Sequence, residues 1–255
     1  MRADQMKSSE KICLDGNGLA AVLCTPAQPK ALALLVHGLT GDKDQKGRYV
    51  ELAELLAEKG ISSLRFDMRG RGETSGYLTP LTAIEDIRTA GVWLGNQFPN
   101  LPGLVVARGE GAYASLVALG QNSVWRHMIC WEAILFPRTS RELQGDYHAY
   151  RETGRASLNL PDGSIIDFTA DYFEALEKLP SVYSAVRQNL QLTFIHSPND
   201  MIAPLKYVKE FCSKARGVQS KIVSLENVAD HMHIEKEFVD EYLALTMNAV
   251  DSKQG

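Results

Sequence analysis

Leu104-Val105-Val106-Ala107-Arg108-Gly109-Glu110-Gly111-Ala112-Tyr113-Ala114-Ser115 is the stretch that decides the fold. An apolar run rich in β-branched residues stops at a small residue, a small-x-Gly-x-Gly pentad follows, and then a helical pattern begins. The spacing predicts a strand, a sharp turn and a helix. The middle of the pentad is Gly109, which has no side chain.

Working outward, the same alternation recurs. Ala31 to Val36 and Ile61 to Phe66 read as strands buried on both faces, with a helical pattern over Tyr49 to Lys59 between them. Thr82-Ala83-Ile84-Glu85 has the form of a capping box opening a helix that reaches Phe98. Upstream, two short apolar runs flank Asp15-Gly16-Asn17-Gly18, a hairpin signal. Downstream, a strand is expected from Met128 to Phe136, then polar, irregular sequence from Pro137 to Asn189 with a hairpin around Leu160–Ser164 and a helix over Asp171–Leu179. Strands at Leu190–His196 and Lys221–Leu225 resume the pattern, with helices at Leu205–Ala215 and Ile234–Ala249. Alternating strands and helices predict a mostly parallel sheet covered on both faces. His37, Asp67, Gly109, Asp200 and His231 each follow a predicted strand, so they share the sheet edge where ligands bind.

Composition narrows the class. A chain of 255 residues, 45% hydrophobic, suits one α/β domain, 1–255, with an insertion at 137–189. Net charge is −4 with mixed signs, which argues against nucleic acid or an anionic membrane as partner. Cys13, Cys24, Cys130 and Cys212 are widely spaced, as in reduced core or strand positions rather than a disulfide framework or zinc site. The first residues, MRADQMKSSEK, lack an apolar segment of signal-peptide type, and Ala31–Val36 is too short to span a membrane. The expectation is a cytoplasmic protein.

These motifs resemble those of the α/β-hydrolase fold family, closest to its carboxylesterase and cinnamoyl-esterase-like branch. Val36-His37-Gly38-Leu39 looks like the oxyanion-loop motif. Arg65-Phe66-Asp67-Met68-Arg69-Gly70-Arg71-Gly72-Glu73-Thr74 looks like the family's R-x-D-x-R-G-x-G-x-S loop. Asn199-Asp200-Met201-Ile202-Ala203-Pro204 resembles the acid motif and Ala229-Asp230-His231 the histidine motif. The order elbow, acid, histidine is the family's order. The resemblance implies an eight-stranded sheet, a lid at 137–189, an Asp200–His231 dyad serving as general base, and oxyanion donors in the backbone N–H groups of Leu39 and Glu110. His37 and Arg108 are the residues expected to contact the substrate.

The departure is at the elbow, where the family's serine is Gly109. Three readings stand. The serine has been substituted by design. Or the chain has lost its chemistry, and glycine relieves the strain of the elbow; the N-myc downstream-regulated proteins resemble this case. Or His231 activates water or removes a proton from a carbon acid. Removing a nucleophile costs about 10⁶ in kcat and leaves roughly 10³–10⁴ over water, so ordinary ester turnover is not expected.

The remaining residues have plainer readings. Glu110 is a carboxylate at a helix N-terminus, favourable by about 0.3–1 kcal/mol. Arg108 is expected to bind a substrate carboxylate or to pair with the Asp67 loop. Cys130 reads as core, and Trp131, Phe136, Tyr147, Tyr150 and Tyr172 could line a pocket or simply pack. Gly109-x-Gly111-x-x-Ala114 with Glu132 also fits a dinucleotide fingerprint, but that reading leaves the His37, Asp200 and His231 motifs unexplained. No metal and no organic cofactor is implied. The expected partner is a small ester or acyl compound, and a homodimer is left open. The alternative from another class is an inactive pseudo-hydrolase serving as a ligand-binding or interaction scaffold.

Overall fold

Leu32, Leu34 and Val36 point to one face of the sheet, Ala33 and Leu35 to the other, and all five are fully buried. A strand covered on both faces has no polar side, which is why Ala31–Val36 reads as an unbroken apolar run. The computed structural model describes residues 8–14, 18–159, 163, 165–226 and 236–251. In chain order the elements are β1 (Ser8–Leu14), β2 (Leu19–Thr25), β3 (Ala31–Val36), α1 (Arg48–Glu58), β4 (Ile61–Phe66), α2 (Pro80–Gln97), β5 (Gly103–Arg108), α3 (Glu110–Leu119) and β6 (Trp125–Trp131). Then come α4 (Pro137–Leu143), α5 (Asp146–Thr153), β7 (Ala156–Asn159), β8 (Ile165–Phe168), α6 (Ala170–Glu177), β9 (Gln191–His196), α7 (Leu205–Lys214), β10 (Gln219–Ser224) and α8 (Lys236–Asp251).

Eight strands form one sheet in the order β1-β2-β4-β3-β5-β6-β9-β10. The pairs β1–β2 and β2–β4 are antiparallel, and every later pair is parallel. One face carries the core shared with α2, α3 and α7, through Ile87, Leu116 and Phe211; the other packs α1 and α8, through Leu52, Leu56 and Leu243. β5 lies in the middle, so the turn after it opens at the centre of the sheet's edge. This is the mostly parallel α/β sheet that the sequence predicts.

Three local expectations are corrected. The cap of α2 is Thr79, whose hydroxyl accepts from the Thr82 N–H at 3.1 Å while Thr82 Oγ1 accepts from the Thr79 N–H at 2.8 Å. Thr82 is therefore the third residue of the helix and not its cap, and Pro80 opens the first turn. β6 ends at Trp131 because Glu132 takes φ 48°, which bends the chain out of the sheet. The stretch expected to be irregular after Pro137 holds two short helices, α4 and α5, separated by left-handed Gly145 (φ 79°). The predicted hairpin is present as the antiparallel pair β7–β8.

Candidate active site

The site is assembled from strand ends. β5 stops at Arg108, Gly109 turns with φ 55° and ψ −126°, and α3 starts at Glu110. The turn is pinned on both sides. Gly109 N–H donates to the Trp131 carbonyl at 3.0 Å, and the Gly109 carbonyl accepts from Ile134 at 3.0 Å and Ala112 at 3.2 Å. The loop after β3 presses against it. A Cβ at residue 111 would lie 2.4 Å from the His37 carbonyl oxygen, and one at residue 38 would lie 3.2 Å from the Arg108 carbonyl oxygen. Glycine at 111 is therefore required by the approach of two backbones, not by chemistry.

Over this turn lies a cleft of about 490 Å³, lined by Gly38–Gly41, Gln45, Arg108, Gly109, Glu110, Arg141 and Ile202 among others. The structure thus brings together Leu39, Arg108, Gly109 and Glu110. A second, mostly apolar hollow of about 340 Å³ shares Leu39 and Glu110 and adds Met68, Leu78 and Tyr172. Of the five aromatic residues singled out, Tyr172 lines it. Trp131 instead packs between Tyr49 and Tyr242, with its indole N–H on Thr246 Oγ1, and Phe136, Tyr147 and Tyr150 pack on other rings.

Two expected contacts are corrected. His37 is not turned to a substrate: it is fully buried, its Nε2 accepts from the Met68 N–H at 3.1 Å, and its Nδ1 lies 2.7 Å from the Gly38 carbonyl. With Nε2 accepting, the proton is on Nδ1, and the neutral ring staples the loop after β3 to the loop after β4. Burial lowers its pKa to about 4. Arg108 does not pair with the Asp67 loop. Its Nε and Nη2 both donate to Glu132 Oε2, at 3.0 and 2.9 Å, and Tyr242 donates to Glu132 Oε1 at 2.9 Å. Asp67 is held by Lys43, through its backbone N–H at 2.6 Å and its Nζ at 2.8 Å. Glu132, buried in an ion pair, is not positioned to meet a ribose, so the dinucleotide reading fails on its acidic residue.

Glu110 makes more contacts than a helix-start carboxylate needs. Its Oε1 accepts from Arg141 Nη2 at 2.7 Å and Nε at 3.1 Å, and its Oε2 accepts from the Tyr172 hydroxyl at 2.9 Å. Arg141 also donates to Asp146 Oδ2 at 2.9 Å. Arg141, Asp146 and Tyr172 all lie within 137–189, the stretch expected as an insertion, so the residue after Gly109 is tied to that stretch. Burial pushes the Tyr172 hydroxyl well above its ordinary range.

Asp200 follows β9 and is buried. Its Oδ1 accepts from the Ile202 and Ala203 N–H groups, at 2.9 and 2.7 Å, and its Oδ2 lies 3.8 Å from His196 Nε2. Ile202, two residues on, lines the cleft, so the Asp200 loop reaches the site. His231 and its neighbour Asp230 lie outside the described residues. Cys130 is core, as expected, and burial pushes its thiol up to about 12.

Sequence reasoning missed Arg141, Asp146 and Gln45, and it weighed Glu132 only as the acid of a dinucleotide fingerprint, not as the partner of Arg108. Glu132 had a signal: a lone carboxylate within the apolar run from Met128 to Phe136 needs a partner when buried. Arg141 had none, because nothing local marks an arginine whose partner is 31 positions away.

Comparison with known proteins agrees with this fold. Residues 27–145 match the family model described as serine aminopeptidase, S33. No curated protein matches the chain by sequence. Est1E from Butyrivibrio proteoclasticus is similar in fold, with a TM-score of 0.70 at 17% identity, covering 95% of this chain and 99% of that one. The Pyrococcus furiosus esterase Pf2001 gives 0.70 at 14% identity, over 99% and 92%. Mouse alpha/beta hydrolase domain-containing protein 10 gives 0.69 at 12% identity, over 96% and 99%. The family match runs across the elbow, and the fold shared over nearly the whole length of the chain is the α/β-hydrolase fold.

Proposed function

We propose that this protein handles a small ester or acyl compound in the cleft over Gly109 without forming an acyl-enzyme there. The carrying observation is Gly109 itself. Its backbone keeps the turn (φ 55°, ψ −126°) and it lines the cleft beside Leu39 and Glu110, but it offers no attacking atom. In this reading the Leu39 and Glu110 N–H groups hold the carbonyl oxygen. The insertion is the lid, and an Asp200–His231 dyad acts as general base on water or on a carbon acid. The capture of ferulic acid by Est1E, similar in fold at a TM-score of 0.72, supports an acyl-sized ligand.

The test is hydrolysis of p-nitrophenyl acetate by the chain, by Gly109→Ser and by Gly109→Ser/His231→Ala. Turnover is expected to rise only in Gly109→Ser and to vanish in the double variant. If Gly109→Ser gains nothing, the site lacks the geometry for acyl chemistry and the reading is overturned.

A second reading, a catalytically silent ligand-binding scaffold, is favoured by one observation: the insertion is fastened to Glu110 by Arg141 and Tyr172. Ligand binding and any residual activity unchanged by His231→Ala would select it.

A further inference from the structure

Gln45 stands out in the cleft wall. Its backbone is fully engaged: the N–H donates to Asp42 Oδ1 at 2.8 Å, and the carbonyl accepts from Arg48 at 3.3 Å. Its side chain is not. The residue is 4% exposed and lines the cleft with Gly109, and its Oε1 has no hydrogen-bond partner. The carboxamide is tucked against the loop after β3, so closely that a Cβ on Gly41 would lie 2.3 Å from Oε1. Gln45 and Lys46 also sit at φ 47° and 55°, a left-handed backbone that residues with a Cβ rarely adopt. Such strain persists only where the surroundings impose it, and it gathers at ligand sites.

We propose that Gln45 is a ligand-recognising residue of the cleft, its carboxamide oxygen accepting a hydrogen bond from a hydroxyl or N–H that the acyl compound carries near its carbonyl. This rests on the reading of the cleft as an acyl site. An unpaired amide oxygen can only accept, so the matching group is a donor. Rotation about the last side-chain torsion of glutamine is soft, so the oxygen turns into the cleft at little cost. Position sets where that donor lies. Gln45, Leu39 and Gly109 line the same cleft, so a ligand whose carbonyl is held at Leu39 meets Gln45 with a donor carried near that carbonyl, as in a 2- or 3-hydroxyacyl compound.

Benzyl lactate and benzyl propionate differ by that one hydroxyl. Titration of each into the wild-type chain, followed by ligand-observed NMR, is expected to show the lactate bound about five- to tenfold more tightly, the range one net hydrogen bond supplies. Gln45→Met keeps the length and removes the acceptor. It should abolish the preference, so that the two esters bind alike, and Gln45→Leu should do the same if the methionine variant misfolds. Equal affinities in the wild type overturn the assignment, as does a preference that survives in the variants, since the notch then holds only water. If neither ester binds the wild type, the acyl reading of the cleft falls, and this one with it.

Discussion

The guanidinium of Arg141 meets the carboxylate of Glu110 at 2.7 Å, directly beside Gly109. The arginine is 3% exposed and carries Asp146 on its other arm. One cation thus serves two carboxylates across the junction between the elbow and the insertion.

Removing that cation strands both acids. Breaking a buried pair from one side costs about 3–5 kcal/mol, because the remaining charge stays desolvated. Arg141→Met should lose stability of that order in urea unfolding, and trypsin should cut the insertion faster than in the wild type. A midpoint within error of wild type would mean that the insertion is held by its apolar contacts with Leu39 and not by the ion pair.

Beneath the elbow, Arg108 and Glu132 form a second buried pair, with Tyr242 on the carboxylate. Arg108→Met should therefore be costly, again about 3–5 kcal/mol. Replacing both partners, Arg108→Met/Glu132→Leu, should be milder than the single change, since no carboxylate is then left without its guanidinium. Denaturant unfolding of the two variants compares them directly. A double variant worse than the single would show that Glu132 does more than answer Arg108.

His37 gives a pH dependence whose sign follows from its burial. Its folded pKa is lowered to about 4 from an ordinary value of 6.5. Between those values the unfolded chain binds the proton and the folded one does not, so stability rises with pH across the window. The contribution is fully present above about pH 6.5 and is lost as pH falls towards 4, on the order of 3 kcal/mol in all. Unfolding midpoints at pH 4.5, 5.5 and 7.5 should fall more steeply in the wild type than in His37→Asn. Parallel slopes would remove His37 as the cause.

The fold was legible because its signals are periodic or local. Each face of β3 is covered, so its sequence is apolar throughout, and the elbow is marked by glycines that two close backbones require. The site was legible only where it is made of backbone. Leu39, Gly109 and Glu110 fall where the strand ends put them. The side-chain partners were not legible, because an ion pair such as Arg141–Glu110 or Arg108–Glu132 depends on which strand ends and helices meet in space. His37 shows the same limit. Its place beside the elbow was readable, but the direction of its ring was decided by the Met68 N–H on another strand's loop.

Gly109 carries the last prediction, and it separates strain from chemistry. At φ 55° and ψ −126° a side chain at this position is strained. Gly109→Ala and Gly109→Ser both add a Cβ, so both should lose about 1–3 kcal/mol, a fall in Tm of roughly 2–10 °C for a chain of this size. Only the serine variant adds a hydroxyl, so ester turnover should separate the pair while stability does not. The measurements are thermal unfolding and p-nitrophenyl acetate hydrolysis on the same preparations. An alanine variant as stable as the wild type would show that the turn relaxes when a side chain is added. Glycine would then not be the residue that keeps the elbow's shape, and the cleft would have no fixed floor on which to orient an acyl group.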